Sequence, residues 1–312
     1  MKYRALGRGG PRVSALGLGT TSLMGIFGRR DPRAVADTLR FGLDHGVNVL
    51  DTAPSYGEGF AETVVGQVIR GRRDEVVLST KVGCWAPDEF DFSARRIRAG
   101  FEESLRRLGT DHVDVLLAHD IEYGDPAEIT GTVLPLLLRL KEEGKARAVG
   151  VSGLPLPVLD TVVETGSLDV VLSYCRYGLH DTALEQYARR WSDGGVATLL
   201  GSPAAMGLLT QAGPPAWHPA SPELREAASR AAALCARHGA DLALLALQFA
   251  LADDTVGCVV TGTGDRDHLA ATLRAVDTPP DAELLAEVRG VFAGVPDPGW
   301  PSGNGLWPGA PA

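Results

Sequence analysis

Asp31-Pro-Arg-Ala-Val-Ala-Asp-Thr-Leu-Arg-Phe-Gly-Leu-Asp-His45-Gly46-Val47-Asn48-Val-Leu-Asp51-Thr52 holds one complete helix-then-strand unit. Asp31 is a helix N-cap, Pro32 takes the first helical position and Gly46 stops the helix after His45. A short apolar strand, Asn48–Thr52, follows and ends in polar residues. The same grammar repeats on both sides. Strands read at Ser14–Thr20, Glu75–Val82, Val113–His119, Ala146–Ser152, Asp169–Tyr174, Val196–Gly201 and Gly257–Thr261, separated by amphipathic segments. Gly71, Gly109, Gly144, Gly166, Gly194 and Gly239 each mark a helix end just before the next strand. Eight strands in strict alternation predict a closed (β/α)8 TIM barrel spanning about 14–276. Lys2–Val13, centred on Gly9-Gly10-Pro11, predicts an N-terminal hairpin, and Asp281–Ala293 an extra helix. Gly294–Ala312, with Trp300 and Trp307, predicts a C-terminal tail over the barrel mouth. No linker or low-complexity tract divides the 312 residues, so a single domain, 1–312, is expected.

Composition narrows the function. Thirty Lys and Arg against 39 Asp and Glu leave a net charge of −9, which argues against a nucleic-acid partner. The start has no apolar signal region, and Leu242–Ala252 is too short to span a bilayer, which needs roughly 20 residues. It reads as a buried helix, so no membrane partner is expected. Cys84, Cys175, Cys235 and Cys258 are widely separated and read as reduced core thiols of a cytoplasmic protein. No histidine or cysteine spacing suits a metal, and no heptad or large apolar stripe suggests an oligomer, leaving a monomer as the default.

In a barrel of this kind, chemistry belongs at the C-terminal strand ends. There the sequence places Asp51, then Tyr56 in the following loop, Lys81 after strand three and His119 after strand four. A Tyr hydroxyl titrates near 10 and needs a neighbouring cation to work as a base closer to neutrality. Lys81 is such a cation, Asp51 can hold it, and His119 can orient the reacting oxygen. This is a proton-transfer constellation.

Those residues carry a resemblance. Ser14-Ala-Leu-Gly-Leu-Gly-Thr20, Asp51-Thr-Ala-Pro-Ser-Tyr56, Lys81 and His119 match the aldo-keto reductase superfamily and its Asp–Tyr–Lys–His tetrad in order and spacing. More narrowly, the chain resembles the L-galactose dehydrogenase and L-fucose (D-threo-aldose) 1-dehydrogenase branch. Phe90-Asp-Phe-Ser93, His119-Asp-Ile-Glu122, Leu172-Ser-Tyr-Cys175, the long run Met206–Leu224 and Trp300-Pro-Ser-Gly303 carry that likeness. The resemblance implies hydride transfer between a sugar and NAD(P), with an aldose of the L-galactose, L-fucose or D-arabinose type oxidised at C1 to the lactone. Tyr56 would be the general acid/base and His119 a substrate contact. Trp85, just past Lys81, reads either as a further wall for the sugar or as an exposed loop Trp packed on the barrel rim.

The same resemblance places the cofactor on Gly19, Thr20, Asp51, Ser152, Gly153, Ser173, Ser202, Ala204, Gly207, Leu208, Gly262, Thr263, Gly264, His268 and Thr272. A helix N-terminus after Gly262-Thr263-Gly264 suits the phosphates. Four departures stand out: no Gln near Ser173-Tyr174, Gly201 in place of an aromatic, Ser152-Gly153 in place of Ser-Asn, and Ala271-Thr272 in place of Glu-Asn. Asp265 would repel a 2′-phosphate and favours NAD, while Arg266 argues for NADP. Two other readings compete with the aldose dehydrogenase. One is an NADPH-dependent aldehyde or ketone reductase, the other a cofactor-binding subunit without catalysis.

Overall fold

The computed structural model describes residues 1–7, 10–24 and 31–307. The eight expected strands are present: β1 (Leu16–Gly19), β2 (Val49–Asp51), β3 (Val77–Val82), β4 (Val113–Ala118), β5 (Ala146–Gly153), β6 (Val170–Tyr174), β7 (Ala197–Gly201) and β8 (Cys258–Gly262). All pair in parallel, and β8 closes on β1 through Val259 opposite Leu16 and Gly262 opposite Gly19. The result is the (β/α)8 barrel that the alternation predicted.

Two cores follow from the two-residue period of a strand. Val49, Val77, Val115, Leu117, Val170, Leu172 and Leu199 face the barrel axis and form an inner cluster. Leu50, Leu78, Leu116, Val149, Val151 and Val171, one residue out of phase, pack against the surrounding helices. The hairpin strands Tyr3–Ala5 and Arg12–Ser14 pair in antiparallel register. Leu6 and Val13 enter the inner cluster, so the hairpin plugs the barrel floor. Gly9 lies outside the described residues.

The helix signals act locally as expected. The Asp31 side chain accepts from the Arg33 N–H at 3.0 Å, a cap worth about 1 kcal/mol. Gly46, Gly71, Gly109, Gly144, Gly166 and Gly239 all have positive φ. Gly194 differs: its φ is −74° and it continues the right-handed turn, while Gly195 at φ 87° makes the reversal. Leu242–Ala252 is a largely buried helix, and no single helix among the described residues is long and apolar enough to cross a membrane. The four cysteines are buried and unpaired.

Two features shape the barrel mouth. After β3 the chain forms an unexpected small hairpin, Cys84–Ala86 with Glu89–Phe90. Past the extra helix Ala282–Phe292, the tail lies on the loop that follows β4. Trp307 Nε1 donates to the carbonyls of Ile121 and Gly124 at 3.0 and 3.1 Å, and Asn304 Nδ2 to that of Tyr123 at 2.8 Å. Residues 308–312 of the expected tail lie outside the described residues.

Candidate active site

Strand phase decides which side chains reach the mouth. Asp51 is in phase with Val49, Lys81 with Val77 and Ser79, and His119 with Val115 and Leu117, so each continues an inward-facing row past its apolar part. All three line one cavity of about 600 Å³, together with Tyr56 from the loop after β2.

Lys81 is 1% exposed. Its Nζ donates to Asp51 Oδ2 at 2.7 Å and to the Thr52 carbonyl at 2.9 Å, while Ser79 Oγ donates to Asp51 Oδ1 at 2.7 Å. Burial works against the ammonium, but Asp51 and Tyr56 outweigh it and push its pKa up to about 12. A buried charge survives here because it is paired and hydrogen-bonded. The Tyr56 ring lies 4.9 Å from Nζ and meets the His119 ring edge-on, with centroids 5.8 Å apart.

The electrostatics correct one expectation. Burial raises the Tyr56 phenol above its ordinary value, and the opposing pull of Lys81 only partly offsets it. Lys81 therefore acts in the expected direction without winning in the protein alone. Desolvation, with Lys81 second, drives His119 well below the ordinary histidine value, so its imidazole is neutral at neutral pH. Its Nδ1 is buried without a hydrogen-bond partner among the described residues.

The cavity runs from this tetrad to the loops after β7 and β8. Of the residues expected to hold a cofactor, Gly19, Asp51, Ser152, Ser202, Ala204, Gly207, Gly262, Thr263, Gly264, His268 and Thr272 line it. Thr20, Gly153, Ser173 and Leu208 do not. For three of these the reason is phase. Thr20 follows Leu16 and Leu18, Gly153 follows Val149 and Val151, and Ser173 follows Val171, all rows that face the helices. The chemistry of the donor set suits an anionic cofactor. Gly262–Gly264 leads into the helix Arg266–Ala275, whose free N–H groups face that end. Ser202, Ala205, Met206 and Gly207 all have positive φ, a conformation that builds anion-binding backbone concavities. Asp265 caps the helix by accepting from the His268 N–H at 2.8 Å. The Arg266 guanidinium lies 4.4 Å over the Phe41 ring.

Trp85 does not line the cavity. It is buried, donates from Nε1 to the Asp91 carbonyl at 3.0 Å, and packs so closely on Gly100 that a Cβ there would lie 2.1 Å from the ring. The lining aromatics are instead Phe90 and Tyr123, stacked with centroids 4.5 Å apart, and Tyr174. Tyr174 pairs in register with Gly201, and a Cβ at 201 would approach the Tyr174 Cβ to 3.1 Å. The ring missing at 201 thus has a neighbour on the adjacent strand. The in-phase position of Tyr174 after Leu172 was the signal for it. Asp120, also on the cavity, had no such signal.

Comparisons with known proteins agree with this fold. The Aldo/keto reductase family model matches residues 15–292. The chain is 39% identical to L-galactose dehydrogenase of Arabidopsis thaliana, over 97% of this chain and 98% of that protein. It is 32% identical to D-arabinose 1-dehydrogenase of Saccharomyces cerevisiae, over 76% of this chain and 75% of that one. Among solved structures, the holo form of an aldo-keto reductase from Bacillus halodurans superposes with a TM-score of 0.77 at 28% identity, covering 93% of this chain and 96% of that one. A tetrad at the mouth of a closed barrel and a family match across nearly all of it lead to one assignment: the chain belongs to the aldo/keto reductase family.

Proposed function

We propose that this protein is an NAD-dependent aldose 1-dehydrogenase, oxidising a sugar of the L-galactose, L-fucose or D-arabinose type at C1 to the lactone. One observation carries the reading. A buried Asp51–Lys81 pair stands behind Tyr56 and a neutral His119 in a chain 39% identical to an L-galactose dehydrogenase. A nicotinamide cofactor, when bound, supplies the hydride acceptor. The side chains do the rest. Tyr56 takes the proton of the C1 hydroxyl as C1 gives up its hydride, so one proton and one hydride leave the sugar. Lys81 stabilises the resulting demand for a phenolate, and Asp51 fixes Lys81. The uncharged His119 hydrogen-bonds the C1 oxygen without adding a second cation. Positioned acid/base groups of this kind contribute about 10²- to 10⁴-fold.

NAD is favoured over NADP by the Asp265 carboxylate at the helix start and by the engagement of Arg266 with Phe41. The test is reduced-nicotinamide formation with NAD or NADP against a panel of L- and D-aldoses, from neutral pH to about 10. Turnover of one of the three sugars, with NAD at least about tenfold better in kcat/KM, is the expected outcome. Silence on every sugar with NADPH-driven aldehyde reduction overturns it.

A further inference from the structure

Asp120 directly follows His119, and strand alternation would turn one of the two away from the cavity. Both nevertheless line it. The backbone achieves this by bending Asp120 into the left-handed region, φ 49° and ψ 59°, a conformation that Asp tolerates better than most residues. Its N–H donates to Ser152 Oγ at 3.3 Å, tying the bend to the end of β5.

The carboxylate so delivered is short of partners. Its side chain keeps 20% of its surface open, with Oδ2 3.8 Å from His119 Nε2. Oδ1 is closed off and accepts no hydrogen bond from the described residues. Among the described residues the neighbouring cation is Lys81, which gives two of its three donors to Asp51 and the Thr52 carbonyl, and His119 is neutral. Burial, reinforced by Glu122, pushes the Asp120 carboxyl well above the usual carboxylate range. A buried acceptor in this condition is costly until something donates to it.

We propose that Asp120 is the specificity-determining residue for a polyhydroxylated substrate, accepting hydrogen bonds from the hydroxyls next to the reacting carbon. The inference rests on the aldose reading above and names the residue that reads the sugar. Neutral hydroxyls fit better than an ammonium group, which Lys81 would repel. The stacked Phe90 and Tyr123 supply an apolar platform on the same cavity for the C–H face of such a ring. A flat aldehyde without hydroxyls uses the tetrad but leaves Asp120 unsatisfied.

The experiment compares the holoenzyme with Asp120→Asn and Asp120→Ala on two reactions: aldose oxidation, and reduction of 4-nitrobenzaldehyde. Binding of NADH, followed by fluorescence, serves as the readout of folding. The expected result is a KM for the aldose raised about 10- to 100-fold, a corresponding collapse of the aldose-over-aldehyde preference, and retained NADH binding. Asn, which keeps an acceptor oxygen, should lose less than Ala. An aldose KM within about twofold of wild type, or equal losses on sugar and aldehyde, overturns the role of Asp120. A wild-type enzyme that reduces the aldehyde yet oxidises no aldose overturns the parent reading instead, and the two failures are thereby told apart.

Discussion

At the scale of single residues the decisive quantity is the ionisation of Tyr56. Burial raises its pKa and Lys81 opposes the rise, so the phenolate fraction grows with pH throughout the neutral-to-alkaline range. Lys81, held up to about 12, stays charged over that range, and His119 stays neutral. The rate of sugar oxidation should therefore climb with pH and show no histidine limb near 6.5. Lys81→Met removes the favourable charge that the described residues place beside the phenol. It should cut kcat by about 10²- to 10⁴-fold and move the remaining profile further to alkaline pH, read from kcat against pH. A profile of unchanged shape would mean that Lys81 holds structure and does not tune Tyr56. These residues were legible in the sequence because each is a polar ending to an apolar strand, in phase with its inward row. Phe90, Tyr123 and Asp120 were not, because loop residues carry no period from which to infer a direction.

At the scale of elements, the barrel is braced by ion pairs that no local pattern announces. Glu62, in the helix Phe60–Ile69, has a fully buried side chain. It accepts from Arg107 Nε at 2.7 Å and from Thr80 Oγ1 at 2.6 Å. One carboxylate thus joins two helices to the outward face of β3. Removing it takes the nearest carboxylate from a partly buried guanidinium, which keeps only Ser104 and the more distant Glu103 among the described residues. Glu62→Ala should cost roughly 3 kcal/mol and lower Tm by several degrees. Glu62→Gln should lose less, since it can still hydrogen-bond to Thr80. Thermal unfolding followed by circular dichroism checks both, and equal Tm values for all three proteins would show the bridge to be idle. The tail is another such element. Its anchor Trp307 was visible as an aromatic in the tail, but its docking sites, the carbonyls of Ile121 and Gly124, lie 186 and 183 positions away in the chain.

At the scale of the whole molecule, the proposed cofactor cleft, lined by the ends of many strands, would couple binding to stability. A ligand that binds only the folded state, present at about 100 times its Kd, adds about 2.7 kcal/mol. NADH at that excess should raise Tm by about 5 °C, and NADPH at the same concentration by less. Equal shifts would count against the charge argument at Asp265. The architecture itself was written in the chain. Helix caps, stop glycines and strand alternation are local properties, so eight repeated units and the inward phase of Asp51, Lys81 and His119 follow from neighbours in sequence. Phase also accounts for the outward turn of Thr20, Gly153 and Ser173, a distinction that a motif match alone does not make. What the tertiary structure decided is the company each residue keeps. It set Tyr174 beside Gly201, Phe90 on Tyr123, Trp85 off the cavity on Gly100, and left Asp120 Oδ1 without a hydrogen bond from the described residues. Those contacts depend on barrel closure and on how loops from different units meet. Such packing between distant segments leaves no periodic trace in the chain.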